Sequence, residues 1–161
     1  MVSLRALTPD DAPALQCVYS GASVLYTTGK ALTLDQAEKK IRTALAGAAQ
    51  APRAQWSWGI LTDELIGLIA LRRRSVSMGT ISYILREDTW GNGYATEAAK
   101  HVVAFAFSTT GLDRIEAMHH PANPASGRVL TKAGFTRIGT SDQHTEDGTA
   151  VPFQVYASRN R

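Results

Sequence analysis

Leu85-Arg86-Glu87-Asp88-Thr89-Trp90-Gly91-Asn92-Gly93-Tyr94-Ala95-Thr96-Glu97-Ala98 is the stretch on which the fold turns. It joins the end of an apolar run, Gly79 to Leu85, to a stripe of small residues at helical spacing: Ala95, Ala98, Ala99, Val102, Val103 and Ala106. The spacing predicts a strand end, a glycine-bearing loop and a helix start. Exposed N–H groups there, with the positive end of the helix dipole, suit an anion such as pyrophosphate. Gly91 and Gly93 let a ligand approach the backbone without Cβ atoms in the way. The loop is not a P-loop, because no Gly-Lys-Ser/Thr follows the first glycine. As a dinucleotide fingerprint it is defective: Thr96 stands where the third Gly or Ala belongs, although Asp113 lies about twenty residues beyond Gly93. Taken alone, a tight turn with a helix cap accounts for the stretch as well as a ligand loop does.

Upstream, Val2 to Leu7 alternates as a half-buried strand and ends at Thr8-Pro9-Asp10-Asp11, a capping threonine, an N1 proline and an acidic N3 residue. A helix starts there. Thr33-Leu34-Asp35-Gln36 repeats the signal and opens a second helix over roughly 34–46. The intervening Gly21 to Leu32 reads as irregular or briefly helical, a loop able to cover a site. Gln55 to Leu61, Leu65 to Leu71 and Gly79 to Leu85 read as three antiparallel strands. Trp56 and Trp58 share one face of the first and read as packing residues. Downstream of the glycine loop come a helix ending near Gly111, a strand Arg114 to His119, and a short helix from Asn123-Pro124 to Gly134. Strands Phe135 to Gly139 and Pro152 to Ser158 follow, around a polar loop with Asp147-Gly148. The order βααβββαβαββ predicts one α/β domain over residues 1–161, with a mixed, mostly antiparallel sheet flanked by helices and a crossover after Leu85.

A second segment, His119 to Phe135, carries Asn123-Pro124-Ala125-Ser126 and Lys132-Ala133-Gly134-Phe135. Together with Trp90 to Ala98, the opening Leu4-Arg5 and the element order, it resembles the GNAT superfamily of acyl-CoA N-acyltransferases over essentially the whole chain. Within it the resemblance is to the RimJ/RimL-like group, which includes acetyltransferases of ribosomal-protein N-termini. The resemblance implies a sheet splayed at its central strands. It implies that the N–H groups of Gly91, Asn92, Gly93, Tyr94, Ala95 and Thr96 take the pyrophosphate of acetyl-CoA, and that Leu85, Arg86 and Glu87 pair through their backbone with the pantetheine arm, like a strand added to a sheet edge. It further implies that Asn123 bonds the pantetheine region and that Ser126 lies near the departing sulfur. Trp90 departs from the Gln or Arg frequent in other branches. From position alone Asn123 is a helix N-cap and Ser126 a first-turn serine, and both roles can coexist with the implied ones. Arg128 and Lys132, at i and i+4, read as a solvated face, with contact to adenosine phosphates as the alternative.

A reacting amine must be neutral, yet an α-amine has a pKa of about 8 and a lysine about 10.4, so a base or a water relay is required. Glu116, beside the expected cleft, is the first candidate, with His119 and His120 next. Alternation puts Glu116 and His120 on one face of the strand and His119 on the other.

Composition sets outer bounds. The 161 residues are 44% hydrophobic and 19% charged, ordinary globular values. Seventeen basic against 14 acidic side chains leave a net charge of +3, which does not call for nucleic acid. The one dense basic run is Arg72-Arg73-Arg74. A single cysteine, Cys17, excludes an internal disulfide and a multi-cysteine zinc site, and the four histidines lack a metal-binding spacing, so no metal is expected. With no targeting segment or membrane-length apolar run, a cytoplasmic protein is expected. The expected acceptor is a protein N-terminus or a small amine; a homodimer stays open. The competing readings are a non-catalytic acyl-CoA-binding module and a nucleotide-binding oxidoreductase, the latter opposed by Thr96 and by the antiparallel strands before the loop.

Overall fold

The computed structural model describes residues 1–25, 29–144 and 147–160. Its elements are β1 (Ser3–Arg5), α1 (Ala12–Val18), α2 (Leu34–Ala48), β2 (Gln55–Leu61), β3 (Leu65–Arg73), β4 (Met78–Leu85), α3 (Tyr94–Thr109), β5 (Arg114–His119), α4 (Pro124–Lys132), β6 (Thr136–His144) and β7 (Ala150–Arg159). Short 3₁₀ turns precede α1, α2 and α3. The order is the one the sequence predicts. Gly21–Val24 is one of those 3₁₀ turns, and the rest of the expected loop falls partly on residues 26–28, outside the described residues.

One seven-stranded sheet runs β1-β2-β3-β4-β5-β7-β6, and only the β4/β5 pair is parallel. That pair is joined by the crossover through α3, as a parallel connection requires. The apolar run of β3 is buried on both faces, because α1 and α2 cover one side of the sheet and α3 and α4 the other. On the α3 side, Ile60, Ile69 and Leu71 meet Ala98, Ala99, Val102 and Ala106, the small stripe that lets the helix lie close. Burying each large aliphatic side chain of this kind contributes about 1.5–3 kcal/mol. Trp56 and Trp58 pack edge-on against Phe105 of α3, at 6.1 and 5.2 Å between ring centres. On the other side, Leu15, Val18 and Ile41 of α1 and α2 sit over Leu65 and Ile84.

The capping residues ahead of α1 and α2 are engaged. Thr33 accepts the Gln36 N–H (3.2 Å) and Gln36 accepts the Thr33 N–H (2.9 Å). Asp11 accepts the Thr8 N–H (2.7 Å) and a fork from Arg5 (2.8 and 2.8 Å). The ends of β1, β3, β4 and β7 differ from expectation by a residue or two, and β6 by more: it continues past Gly139 to His144. Its register slips between Arg137 and Gly139, so Ile138 stands out as the extra residue of a bulge and pairing resumes beyond it. A glycine that reads as a strand end is here the far side of that bulge.

Candidate active site

β4 and β5 share register only at Met78–Arg114, Gly79–Ile115 and Thr80–Glu116, and then separate. The Arg86 N–H is donated to Ile66 on β3 (2.7 Å), while the Ser77 carbonyl accepts from Asp113 and Arg114 at the start of β5. Polar backbone groups alternate sides along an antiparallel ladder, so those of Ile81, Tyr83 and Leu85 turn towards β5. Beyond Thr80 they meet a cleft instead, a cavity of about 360 Å³ closed by the glycine loop and α4.

Gly91 (φ +83°) and Gly93 (φ +77°) adopt the left-handed conformation, and the space where their Cβ atoms would lie is open. Among the described residues, none of the backbone N–H groups from Gly91 to Thr96 has a partner in the chain. The loop and the first turn of α3 therefore carry a row of free donors, of which those of Gly91, Gly93, Tyr94 and Ala95 belong to residues lining the cleft. Asn92 braces the loop from outside, donating its amide to the Thr89 and Trp90 carbonyls.

The three residues expected to hold the pantetheine arm divide. Leu85 lines the cleft, but its carbonyl already accepts from Ser23 Oγ (2.5 Å) and Trp90 Nε1 (3.1 Å). Arg86 turns its N–H to β3 and its guanidinium to Glu64 and Asp88, and Glu87 Oε1 accepts the Ala22 N–H (2.6 Å). Arg86 and Glu87 thus hold the Gly21–Val24 turn and the β2–β3 connection rather than the cleft wall; Tyr83 supplies the open edge.

Asn123 occupies the N-cap position of α4, yet its side chain makes no capping bond; its carbonyl closes the turn to Ser126 N–H (3.2 Å) while the residue lines the cleft. Ser126 Oγ lies 2.7 Å from the Tyr83 hydroxyl, which also reaches the Ser126 carbonyl (3.3 Å). Burial pushes the Tyr83 phenol up to about 12, against the lowering effect of its bond to Ser126, so it stays protonated at neutral pH. This pair was not legible in sequence; alternation faces Tyr83 away from α1 and α2, but nothing local names its partner.

His119 is buried, with Nδ1 on the His120 carbonyl (2.8 Å) and Nε2 3.5 Å from the Tyr156 hydroxyl. A carbonyl can only accept, so Nδ1 carries the proton. A Cβ on Gly127 would come within 2.7 Å of Tyr156 Oη and 2.8 Å of His119 Nε2, which is why α4 needs glycine there to dock. His120 uses its Nδ1 to accept the Ala122 N–H (3.0 Å). Glu116 does not line the cavity. It stands at the last register pair, on the α1–α2 face of the sheet, since Ile115 and Ala117 point into the core beneath α3. Arg114 holds its Oε2 through Nε (2.8 Å) and a terminal nitrogen (2.7 Å), leaving Oε1 without a partner among the described residues. The parallel gap therefore has Ser126 on one face and Glu116 on the other. Arg128 and Lys132 are exposed around a separate shallow depression with Gln154 and Tyr156, away from the glycine loop. No helix among the described residues is long and apolar enough to cross a membrane.

Residues 2–136 match the Acetyltransferase (GNAT) domain family. A Bacillus subtilis (strain 168) protein named "Uncharacterized N-acetyltransferase YoaA" is 34% identical over 165 aligned residues, covering 96% of this chain and 90% of that one. In fold, the chain is similar to an acetyltransferase (GNAT family) from Bacillus anthracis, with a TM-score of 0.82 at 19% identity over 98% of this chain and 94% of that one. It is similar also to RimL, described as a ribosomal L7/L12 alpha-N-protein acetyltransferase in complex with coenzyme A, with a TM-score of 0.84 at 17% identity over 98% and 93%. A family match over most of the length, with a relative this similar from end to end, has one reading: the chain belongs to the GNAT family of acyl-CoA-dependent N-acetyltransferases.

Proposed function

We propose that the protein transfers the acetyl group of acetyl-CoA to a primary amine by direct attack on the thioester, with a small amine or a protein N-terminus as acceptor. The observation that carries this reading is the row of N–H groups from Gly91 to Thr96 without a partner among the described residues, with Gly91, Gly93, Tyr94 and Ala95 lining the same cleft as Ser126. The donors suit pyrophosphate, and the gap beyond Thr80 offers an acyl thioester a passage between the two faces of the sheet. Asn123, with its side chain uncommitted, and the Tyr83 edge would orient the pantetheine arm. On the far face, Glu116 Oε1 takes the proton that the attacking nitrogen must lose, with Arg114 fixing the carboxylate. As the new C–N bond forms and the C–S bond breaks, Ser126 donates a hydrogen bond to the departing sulfur. Thiols leave with a pKa near 8.5, so that help is useful without being indispensable.

The test is thiol release from acetyl-CoA across a panel of amino acids, polyamines, aminoglycosides and peptides, with the acetylated amine confirmed by mass. Release matched by acetylated product is expected for one class. Binding of acetyl-CoA with no release from any amine would favour the non-catalytic binding module, and binding of NAD in its place the oxidoreductase.

A further inference from the structure

A second hollow, of about 500 Å³, lies on the α1–α2 face of the sheet and shares Ser82, Tyr83 and Ile84 with the cleft. Its charged lining is basic: Lys39 and Lys40 from α2 and Arg72 from β3, with polar Gln36, Gln55 and Ser57 between them. Among the described residues no carboxylate lines it, and neither Lys40 nor Arg72 makes an ion pair. Lys40 instead rests its ammonium 5.1 Å above the Tyr19 ring. Burial first, and then the neighbouring Arg72 charge, pull the Lys40 ammonium below its ordinary pKa. Two like charges side by side in a concave place, the Lys40 ammonium half-buried and Arg72 exposed, with no ion-pair partner among the described residues, attract an anion from solution.

The rest of the basic run is otherwise engaged, since Arg73 closes its turn on the Val76 and Thr110 carbonyls and Arg74 bonds Thr80 Oγ1. Arg72 alone of the three turns to the hollow. Register places it in one cross-strand row, Gln55–Arg72–Thr80–Glu116, at the edge of the parallel gap. Two strand spacings, roughly 10 Å, separate the backbones of Arg72 and Glu116, a span that one or two residues of a peptide or a short amino acid covers once the side chains reach inward.

We propose that this hollow anchors the acceptor and that its ligand is an amine that also carries a carboxylate or phosphate, the anion held by Lys40 and Arg72 while the amine lies at the gap beside Glu116. The inference rests on the acetyltransfer reading above and narrows its acceptor.

The experiment compares matched pairs in the thiol-release assay: O-phosphoethanolamine against ethanolamine, β-alanine against β-alaninamide, and the amidated peptide Ser-Glu-Ala against Ser-Gln-Ala. The anionic member of a pair should exceed its neutral partner at least tenfold in kcat/KM, and Arg72→Gln and Lys40→Gln should each collapse that ratio by tenfold or more. Acetyl-CoA affinity and circular dichroism serve as controls for folding and cofactor binding. A preference confined to the first two pairs identifies a small acceptor, and one confined to the third an acidic peptide. Equal or better turnover of the neutral partners, or a preference that survives both substitutions, overturns the proposal. If acetyl-CoA binds and no amine turns over, the acetyltransfer reading falls, and calorimetric titration of O-phosphoethanolamine then decides the anion site. Binding that Arg72→Gln weakens tenfold upholds it, and absence of binding overturns it.

Discussion

At the scale of single residues the proposed chemistry rests on Ser126 and on Tyr83, the group within hydrogen-bond reach of it. The Tyr83 phenol, which burial keeps protonated, lies 2.7 Å from Ser126 Oγ, and either hydroxyl can donate; with Tyr83 as donor the serine proton is free to face the cleft. Ser126→Ala should lower kcat about 100-fold, the lower end of what acid assistance contributes, with a water able to refill the space. Acetyl-CoA affinity, measured separately by titration, should hold. Tyr83→Phe removes only the orienting bond, worth about 1 kcal/mol, and should slow kcat about threefold to tenfold. Wild-type turnover in Tyr83→Phe, beside a slow Ser126→Ala, would assign Tyr83 to packing alone.

At the scale of elements, two loop-to-helix junctions carry testable weight. Gly93 opens α3 at φ +77° with open space at its Cβ position, so the Cβ of an aspartate there meets no described atom within 4 Å, and its carboxylate adds negative charge beside the donors an anion would use. Asp tolerates the left-handed region at a cost of about 1 kcal/mol, so Gly93→Asp should stay folded while weakening acetyl-CoA binding at least 100-fold by calorimetry. Unchanged affinity would mean the pyrophosphate sits elsewhere. At the other junction, the hydrogen bonds from Arg5, above all, hold the Asp11 carboxyl below its ordinary value against the opposing effect of burial. A depressed folded-state pKa gives stability that is complete above the unfolded value of 3.8 and is lost as pH falls through the folded value. Asp11→Asn should therefore destabilise the protein by about 1 kcal/mol at pH 7, discounted for the exposure of Arg5, and by much less near pH 2. Urea denaturation at the two pH values checks this; an equal loss at both would assign the effect to packing.

At the scale of the whole molecule, one sheet carries two cores on opposite faces, and its middle is held by the three register pairs between β4 and β5. A ligand seated in that gap would touch strands and helices from both sides of it. Acetyl-CoA at tenfold to a thousandfold above its Kd should add roughly 1.4–4 kcal/mol to the unfolding free energy, a rise of several degrees in Tm for a chain of this length. A thermal melt showing no shift with millimolar acetyl-CoA and a clear one with NAD would overturn the cofactor assignment.

The order of the eleven elements, the crossover after Leu85 and the glycine loop are legible along the chain, because periodicity, caps and turns are written within a few residues of where they act. Thr33 and Gln36 find each other three positions apart, and Gly91 and Gly93 need no partner to adopt positive φ. The tertiary structure alone decided which donors and acceptors remained open. Tyr83 meets Ser126 across 43 positions, and Ser23 takes the Leu85 carbonyl across 62. The direction of the Arg86 N–H follows from ladder phase, and the freedom of the Asn123 side chain from a turn closed by its own carbonyl. Bulge residue Ile138 and the end of the β4–β5 ladder are likewise products of packing between segments far apart in the chain. Arg72 reads as one of three like arginines until the sheet turns it, alone of the three, into the hollow beneath α2.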